Sequence, residues 1–145
     1  MKYEIVNPAD WMPRIIPLLL ANWAETGFDF EFKPDLESYA RLYDAGLLFA
    51  VAALDGDECV GYATVAVIPH PHNREVIMGS NDALFVDPVY RNGLVSGRII
   101  KTAEREAKAR GATHFYWHTR AGTPLSEILL NHGYQPADVV VMRAL

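Results

Sequence analysis

Residues 82–104, DALFVDPVYRNGLVSGRIIKTAE, run from an apolar strand through a short turn into a helix, and this junction carries features that bind anions. Arg91 supplies a positive charge, and Gly93 and Gly97 lack a side chain that would keep a ligand away from the backbone. The first amides of a helix have no partner within the helix, and the helix dipole favours negative charge there. The sequence therefore predicts an anion site at this junction. The alternative is that the Asn-Gly pair only turns the chain and that Gly97 packs against a strand.

The glycine spacing excludes two common nucleotide-binding fingerprints. A P-loop has four residues between its glycines, followed by Lys and Ser or Thr, whereas three residues separate Gly93 from Gly97 and Arg98 follows. A Rossmann loop needs a further glycine and an acidic residue at the end of the next strand, but that strand ends in His118-Thr119. The predicted anion is therefore not held by a P-loop or by a Rossmann dinucleotide-binding loop.

Two histidines in the segment PHPHN are candidates for a metal site. His70 and His72 are close enough in sequence to reach one ion. Zinc takes three or four ligands in a fixed geometry, and the sequence has no HExxH motif and no cysteine beside these histidines. We therefore predict no metal, and expect the pair to lie in a loop between strands.

The segment FDFEF, residues 28–32, alternates aromatic and acidic side chains. Aromatic faces and carboxylates together suit an ammonium group through charge and cation-π contact, which makes Phe28 and Phe30 candidates for substrate binding. The alternative is that the aromatic rings cover the core while the carboxylates face water.

Apolar periodicity and turn residues predict the elements that must position these side chains, in the order β-αα-β-β-β-α-β-α-β. Strands are expected at residues 3–6, 47–54, 59–68, 77–86, 114–119 and 139–145, and helices at residues 10–25, 35–44, 94–110 and 124–133. The segment DGDE predicts a hairpin, and the strand, helix and strand over residues 77–119 predict a right-handed parallel unit. The result is a mixed α/β domain of three layers.

Composition restricts the function classes. The chain has 145 residues, enough for one domain with a core that needs no disulfides, and its net charge of −5 argues against a nucleic-acid binder. The single cysteine, Cys59, favours a reducing compartment. MKYEIV lacks the apolar core of a signal peptide, and IIPLLLANW is too short to span a bilayer, so we expect a cytoplasmic protein with no membrane contact.

The segment VDPVYRNGLVSG resembles the acetyl-CoA-binding motif of the GNAT (Gcn5-related) N-acetyltransferases, a strand followed by V-x-P-x-Y-R-x-x-G-x-G/A and a helix. The matching residues are Val86, Pro88, Tyr90 and Arg91. The element order is similar to that fold along nearly the whole chain, and Gly133-Tyr134 is similar to the family's closing turn. More narrowly, the chain resembles phage- and prophage-type members of similar length. The resemblance implies one α/β domain over residues 1–145, with a central mixed, mostly antiparallel sheet of about six to seven strands flanked by helices.

The resemblance also implies acetyl-CoA as cosubstrate. Backbone groups of Leu84, Phe85 and Val86 would pair with the pantetheine chain, and a bulge near Ala83-Leu84 would open a slot beside the strand at residues 114–119. The pyrophosphate would be held by loop amides, with Arg91 shaping the loop. These amides belong to Asn92, Gly93, Leu94, Val95, Ser96 and Gly97.

The sequence departs from the family pattern at three positions. Leu94 replaces the best-known glycine of the loop, and Ser96 stands where glycine or alanine is usual. Leu129 stands where many members carry a Tyr that protonates the leaving thiolate, and Tyr134 is expected in the core. These departures favour an alternative function, a catalytically weak or inactive CoA-binding or regulatory module.

Direct acyl transfer needs a base for the amine and a donor for the thiolate. Asp82 lies where some members carry the base, and we expect it to be partly buried; the alternative is that Asp82 caps a turn begun by Ser80-Asn81. His118 is the second candidate, because histidine titrates in the useful pH range, although it could instead be a half-buried residue that donates to the backbone. Hydroxyl donors to the thiolate are Tyr116, Thr119 and Ser126.

The sequence therefore predicts an acyltransferase that moves an acetyl group from acetyl-CoA to a primary amine by direct attack. The predicted acceptor contacts are Phe28, Phe30, His70 and His72, which the resemblance places near the acceptor entrance. The acceptor is a small-molecule or peptide amine, and the apolar final strand VVVMRAL could pair across a homodimer.

Overall fold

A mixed five-stranded sheet organises the computed structural model, which describes residues 1–91 and 93–145. The strands are β1 (Lys2–Val6), β2 (Leu48–Asp55), β3 (Glu58–His70), β4 (Asn73–Val86) and β5 (His114–Tyr116). They lie in the order β1-β2-β3-β4-β5. Neighbours are antiparallel from β1 to β4, and β5 is parallel to β4, as the strand, helix and strand pattern predicts.

Helices cover both faces of this sheet. They are α1 (Pro8–Trp11), α2 (Ile16–Thr26), α3 (Leu36–Asp44), α4 (Val95–Ala109) and α5 (Pro124–Asn131). Helix α4 buries Ile99, Ala103 and Ala107 against one face of the sheet. On the other face, residues of α2 and of the turn before it pack against Tyr62 and Phe85. The predicted α/β class and three layers are confirmed.

The predicted helix over residues 10–25 is wrong, because proline divides it. Asn7, not Asp10, caps the first piece by accepting a hydrogen bond from the Ala9 amide at 3.0 Å. Pro13 lies in a short 3₁₀ turn and Pro17 in the first turn of α2, where its missing amide costs no hydrogen bond. The segment therefore forms α1, a 3₁₀ turn and α2 instead of one long helix.

The helix ends follow their predicted caps. Gly27 ends α2 with φ +69°, a left-handed conformation that suits glycine. Asp35 begins α3 by accepting a hydrogen bond from the Ser38 amide at 3.0 Å. The polypeptide between these two caps, residues 27–35, has no helix or strand and lies on the surface.

The predicted final strand at residues 139–145 is absent from the described residues, which leaves five strands instead of six to seven. Val139, Val140 and Val141 are 80–90% exposed, with no neighbouring strand beside them. A β-branched run favours extended backbone, but a strand forms only where a neighbour accepts its hydrogen bonds. Within the described part of the chain, no helix is long and apolar enough to cross a membrane.

Candidate active site

The sheet opens between β4 and β5 at one bulged residue. Val65 pairs with Asn81 and Thr64 with Ala83, so Asp82 has no partner on β3. The parallel ladder to β5 stops at Ser80 and Tyr116. The bulge lies one residue before the Ala83-Leu84 position predicted from the sequence, and beyond it β4 has a free edge. Because Ser80 and Asn81 are strand residues, the alternative that Asp82 caps a turn there is wrong.

A buried asparagine bridges the strands where the ladder ends. The Asn81 side chain is 6% exposed, and its Oδ1 accepts a hydrogen bond from the His118 amide at 2.6 Å. Its Nδ2 donates to the His118 carbonyl oxygen at 3.1 Å. A side chain thus replaces the backbone partner that β4 no longer offers, and it fixes where the gap begins. The sequence analysis missed Asn81, because a side chain that replaces a ladder hydrogen bond has no sequence signature.

The predicted pantetheine-contacting residues form the free edge of β4. Leu84, Phe85 and Val86 pair with Ala63, Tyr62 and Gly61 of β3. On their other side the described residues provide no strand, because β5 ends at Tyr116. Backbone groups of an unpaired edge can bind an extended ligand in the manner of an added strand.

The predicted phosphate-binding loop leads into the first turn of α4. Asn92 lies outside the described residues, so its predicted contact is not described. Leu94 precedes the helix with φ −87° and ψ 4°, angles open to any residue, and its side chain is 74% exposed. The leucine therefore fits the loop without backbone strain. The amides of Val95, Ser96 and Gly97 lie in the first helical turn, where no carbonyl of the same helix can accept from them.

Arg91 holds the loop to β4 and α2. Its Nε donates to the Val86 carbonyl oxygen at 2.8 Å, and its guanidinium lies 5.0 Å above the Phe85 ring. A second nitrogen forms an ion pair with Glu25 at 2.8 Å. These contacts agree with the predicted loop-shaping role, and they turn the charge of Arg91 toward α2.

Asp82 carries a tyrosine contact that sequence reasoning missed. The Tyr39 hydroxyl of α3 donates to Asp82 Oδ2 at 2.5 Å across 43 positions of sequence. Burial and then the charge of Asp82 raise the pKa of Tyr39, so this hydroxyl remains a donor near neutral pH. The Asp82 side chain is exposed, so the expected partial burial is wrong.

A second tyrosine lies on β3 beneath the same helices. Tyr62 is 4% exposed, and its hydroxyl accepts a hydrogen bond from Asn22 Nδ2 at 2.7 Å. Burial raises the pKa of Tyr62 to about 12, with a smaller contribution of the same sign from the Asp82 charge. Two phenols that are neutral at physiological pH therefore lie near the Asp82 carboxylate, one in hydrogen-bond contact and one buried.

His118 lies beyond the end of β5, on the face predicted by strand alternation. Its ring is stacked on Tyr116 with centroids 6.3 Å apart, whereas Phe115 and Trp117 pack toward the core. The residue is exposed, and its Nδ1 lies 3.3 Å from the Asn81 carbonyl oxygen. The structure therefore places His118 at the edge of the gap, with its backbone fixed and one ring nitrogen near a backbone oxygen.

The remaining candidates for acid catalysis lie on or near α5. Leu129 is 7% exposed and belongs to the core, so no hydroxyl occupies the position where the family carries Tyr. The Tyr134 hydroxyl donates to Glu104 of α4 at 2.5 Å, and burial raises the pKa of Tyr134. Ser126 Oγ donates to the Thr123 carbonyl oxygen at 3.4 Å. Burial also raises the pKa of the Cys59 thiol, which disfavours a cysteine nucleophile.

The two histidines of PHPHN lie at the tip of the β3-β4 hairpin. Their rings are 5.5 Å apart, and His70 Nδ1 accepts from the His72 amide at 3.1 Å. His70 is five positions beyond Val65, roughly 17 Å along the strand at about 3.3 Å per residue. The structure therefore does not bring this pair beside Asp82. Among residues 1–91 and 93–145, no group of three or more His, Cys, Asp and Glu side chains is arranged to hold a metal ion.

The predicted aromatic contacts form an exposed patch on Trp23. The centroids of Phe28 and Phe30 lie 5.1 and 5.3 Å from the Trp23 ring, and the two phenylalanines are 41% and 55% exposed. Of the three phenylalanines in this loop, Phe32 packs against the core. A cleft of about 420 Å³ separates the loop from residues 142–144 and is lined in part by Asp29 and Phe30.

Most of the chain matches one family of known proteins. Residues 15–133 match the family model described as the acetyltransferase (GNAT) family. No curated protein sequence matches the chain.

Solved acetyltransferase structures share the fold at low sequence identity. An aminoglycoside acetyltransferase, meta-AAC0020, from an uncultured soil metagenomic sample has a TM-score of 0.77 at 16% identity, covering 99% of this chain and 95% of that one. The ribosomal-protein-alanine N-acetyltransferase of Brucella melitensis biovar Abortus 2308 has a TM-score of 0.71 at 16% identity, covering 100% and 99%. Aminoglycoside N-acetyltransferase AAC(6')-Iy in complex with CoA has a TM-score of 0.74 at 15% identity, covering 99% and 93%.

Proposed function

Because the chain belongs to the GNAT family of acetyltransferases, we propose that it transfers an acetyl group from acetyl-CoA to a primary amine by direct attack. The observation that supports this most is the gap between β4 and β5, which combines a free strand edge with a bulged carboxylate. The edge suits the amide-containing arm of the cofactor, and the carboxylate suits the proton of the amine.

Acetyl-CoA would lie along β4 with its pyrophosphate at the first turn of α4. Backbone groups of Leu84, Phe85 and Val86 would pair with the pantetheine amides. The amides of Val95, Ser96 and Gly97 would donate to the pyrophosphate, which the helix dipole also favours. A Cβ added at Gly97 would meet no atom within 4 Å, so space for a ligand exists there.

Asp82 is our proposed base and His118 the second candidate. The amine nitrogen attacks the thioester carbonyl carbon, a C–N bond forms and the C–S bond breaks. The proton of the amine goes to Asp82, directly or through water, and the electron pair leaves on the CoA sulfur. Tyr116, Thr119 and Ser126 remain candidate donors to that thiolate.

The acceptor would be a cationic amine that contacts the loop between α2 and α3. Phe28 and Phe30 offer exposed aromatic faces, and Asp29 and Glu31 offer negative charge between them. Of the three similar structures named above, two are aminoglycoside acetyltransferases and one is a ribosomal-protein-alanine N-acetyltransferase. His70 and His72 would contact only an acceptor long enough to reach the hairpin tip.

A second candidate function is a CoA-binding module with little or no catalysis. It is favoured by Leu129, which places a buried aliphatic side chain where many family members have an acid catalyst. This module would bind acetyl-CoA with the same edge and loop but would acetylate no amine.

The test is acetyl transfer from acetyl-CoA to a panel of aminoglycosides, polyamines and peptides with free N-termini, using wild type, Asp82→Asn and the control Asp57→Asn. Asp57 is an exposed carboxylate in the β2-β3 turn. We expect Asp82→Asn to lower kcat/KM by about 10²-fold, in the usual range for loss of a general base, with unchanged acetyl-CoA affinity. Asp57→Asn should keep full activity. Full activity of Asp82→Asn would refute the base assignment, and binding of acetyl-CoA without acetylation of any amine would favour the module.

Four further properties predicted from the sequence are untested and stay predictions. These are the single domain over residues 1–145, the phage-type relationship, the cytoplasmic location and the homodimer. For the homodimer, the exposed segment 139–145 remains the proposed pairing strand. Light scattering should show a dimer for the wild type. It should show a monomer for Val140→Lys, because the lysine charge would separate the paired strands.

A further inference from the structure

Tyr39 connects helix α3 to the bulged residue of the candidate active site. Its hydroxyl donates to Asp82 Oδ2 at 2.5 Å, whereas Asp82 Oδ1 has no donor among residues 1–91 and 93–145. One carboxylate oxygen is therefore held by the protein, and the other is free to meet a ligand.

The Tyr39 ring is anchored by packing. It packs at the border of the buried cluster formed by Met12, Ile15, Leu19, Tyr62 and Phe85. A ring fixed by packing loses little conformational freedom when its hydroxyl forms a hydrogen bond, so the contact orients Asp82 at low entropic cost. An exposed aspartate on a bulge would otherwise sample several rotamers.

We propose that Tyr39 is a positioning residue that holds Asp82 Oδ2 so that Oδ1 accepts the proton of the amine. This inference rests on the proposed function, because it assigns Tyr39 to the reaction only through Asp82. It also gives α3 a second role, since the helix that borders the acceptor side would control the orientation of the base.

The charged and titratable groups around this pair come from several elements. Tyr39 lies on α3, Asp82 on β4 and Tyr62 on β3, and the charges of Asp82 and Arg120 both act on Tyr62. Burial raises the pKa of both tyrosines, so both stay neutral over the pH range in which a carboxylate titrates. Both hydroxyls therefore act as hydrogen-bonding groups and not as bases in this pH range.

The test compares Tyr39→Phe with Tyr43→Phe in the full chain. Tyr43 lies one turn further along α3, and its hydroxyl has no hydrogen-bond partner in the described part of the chain. Tyr39→Phe keeps the packed ring and removes the donor that stabilises the charged carboxylate. We expect kcat and kcat/KM each to fall about three- to tenfold, because Asp82 is no longer held in the orientation that accepts the proton. Tyr43→Phe should change neither.

A double-mutant cycle with Asp82→Asn separates positioning from general stabilisation. If Tyr39 acts through Asp82, Tyr39→Phe should have no further effect on kcat in the Asp82→Asn background. Additive losses, or an unchanged kcat in Tyr39→Phe, would overturn the inference while leaving the proposed function intact. If the wild type acetylates no amine, the proposed function fails first and the role of Tyr39 fails with it.

Discussion

At the scale of single residues, two phenols near Asp82 are kept neutral by burial. Tyr62 is the most enclosed of them, at 4% exposure, and its hydroxyl accepts from Asn22 at 2.7 Å. This arrangement makes alkaline pH a probe of the fold around the candidate site.

Burial raises the pKa of Tyr62 to about 12, above its ordinary value of about 10, and this predicts alkaline destabilisation. Between these values the folded protein binds more protons than the unfolded chain, so its stability is fully present below pH 10 and is lost as pH rises toward 12. We expect the free energy of unfolding to fall by roughly 2 to 3 kcal/mol over this interval.

The measurement is urea unfolding at fixed pH values from 8 to 12 for the wild type and Tyr62→Phe. The variant should start about 1 kcal/mol less stable at pH 8, because the Asn22 amide loses its acceptor, and it should fall less steeply with pH. Tyr39 and Tyr134, whose pKa values are also raised, will keep part of the slope in both proteins. If the free energy of unfolding fell with the same slope against pH in both proteins, Tyr62 would not contribute to the alkaline destabilisation.

At the scale of elements, the gap begins where a short, closely packed ladder between β4 and β5 ends. Met78, Gly79 and Ser80 of β4 pair with the three residues of β5 before the strands separate. A Cβ added at Gly79 would lie 2.5 Å from Phe115 Cδ2, so the aromatic ring uses the space that glycine leaves. The same ring stacks on Trp117 at 4.6 Å between centroids.

Two glycine substitutions test the ladder and the loop separately. Gly79→Ala should destabilise the protein by about 1 to 3 kcal/mol, because Phe115 must move from its packed position. Gly97→Ala should be neutral or stabilise by up to about 0.5 to 1 kcal/mol, because the position is helical and a Cβ there meets no atom within 4 Å. If the Gly97 amide binds pyrophosphate, the same alanine should weaken acetyl-CoA binding. Thermal unfolding gives the stabilities, and a wild-type stability of Gly79→Ala would refute the packing role.

At the scale of the whole molecule, the proposed cofactor site connects to a helix that is far away in sequence. The free edge of β4 and the first turn of α4 would contact one ligand, and Arg91 connects that loop to Glu25 of α2. A ligand that binds this surface should therefore stabilise the complete fold against unfolding.

Thermal unfolding with saturating acetyl-CoA tests this expectation, with ATP and NAD as controls. At a hundredfold excess over Kd, a ligand stabilises by about 2.7 kcal/mol, which for a chain of this length corresponds to roughly 5 to 10 °C. We expect a shift with acetyl-CoA and a smaller one in Gly97→Ala. A shift with ATP alone would favour a nucleotide site, and no shift with any of the three would mean that Leu94 and Ser96 have removed the anion site.

The sequence by itself determined the fold class and the location of the candidate cofactor site. Both depend on local patterns: apolar periodicity for the elements, and the VDPVYRNGLVSG segment for the strand, turn and helix junction. The sequence patterns were less reliable where a neighbouring segment decides whether a helix or strand forms. The run VVVMRAL predicts a strand but forms none in the described residues, and two prolines divide the first helix.

Only the tertiary structure decided the contacts of Asp82. The bulge depends on the register between β3 and β4, and the Tyr39 contact joins side chains 43 positions apart. Asn81 holds the end of β5 by hydrogen bonds that depend on where the ladder stops. Such contacts arise when folding brings distant segments together, and their residue types carry no periodic pattern that a sequence could reveal. The sequence therefore indicates where the chemistry would occur, and the packing of α3, β4 and β5 decides which side chains can take part.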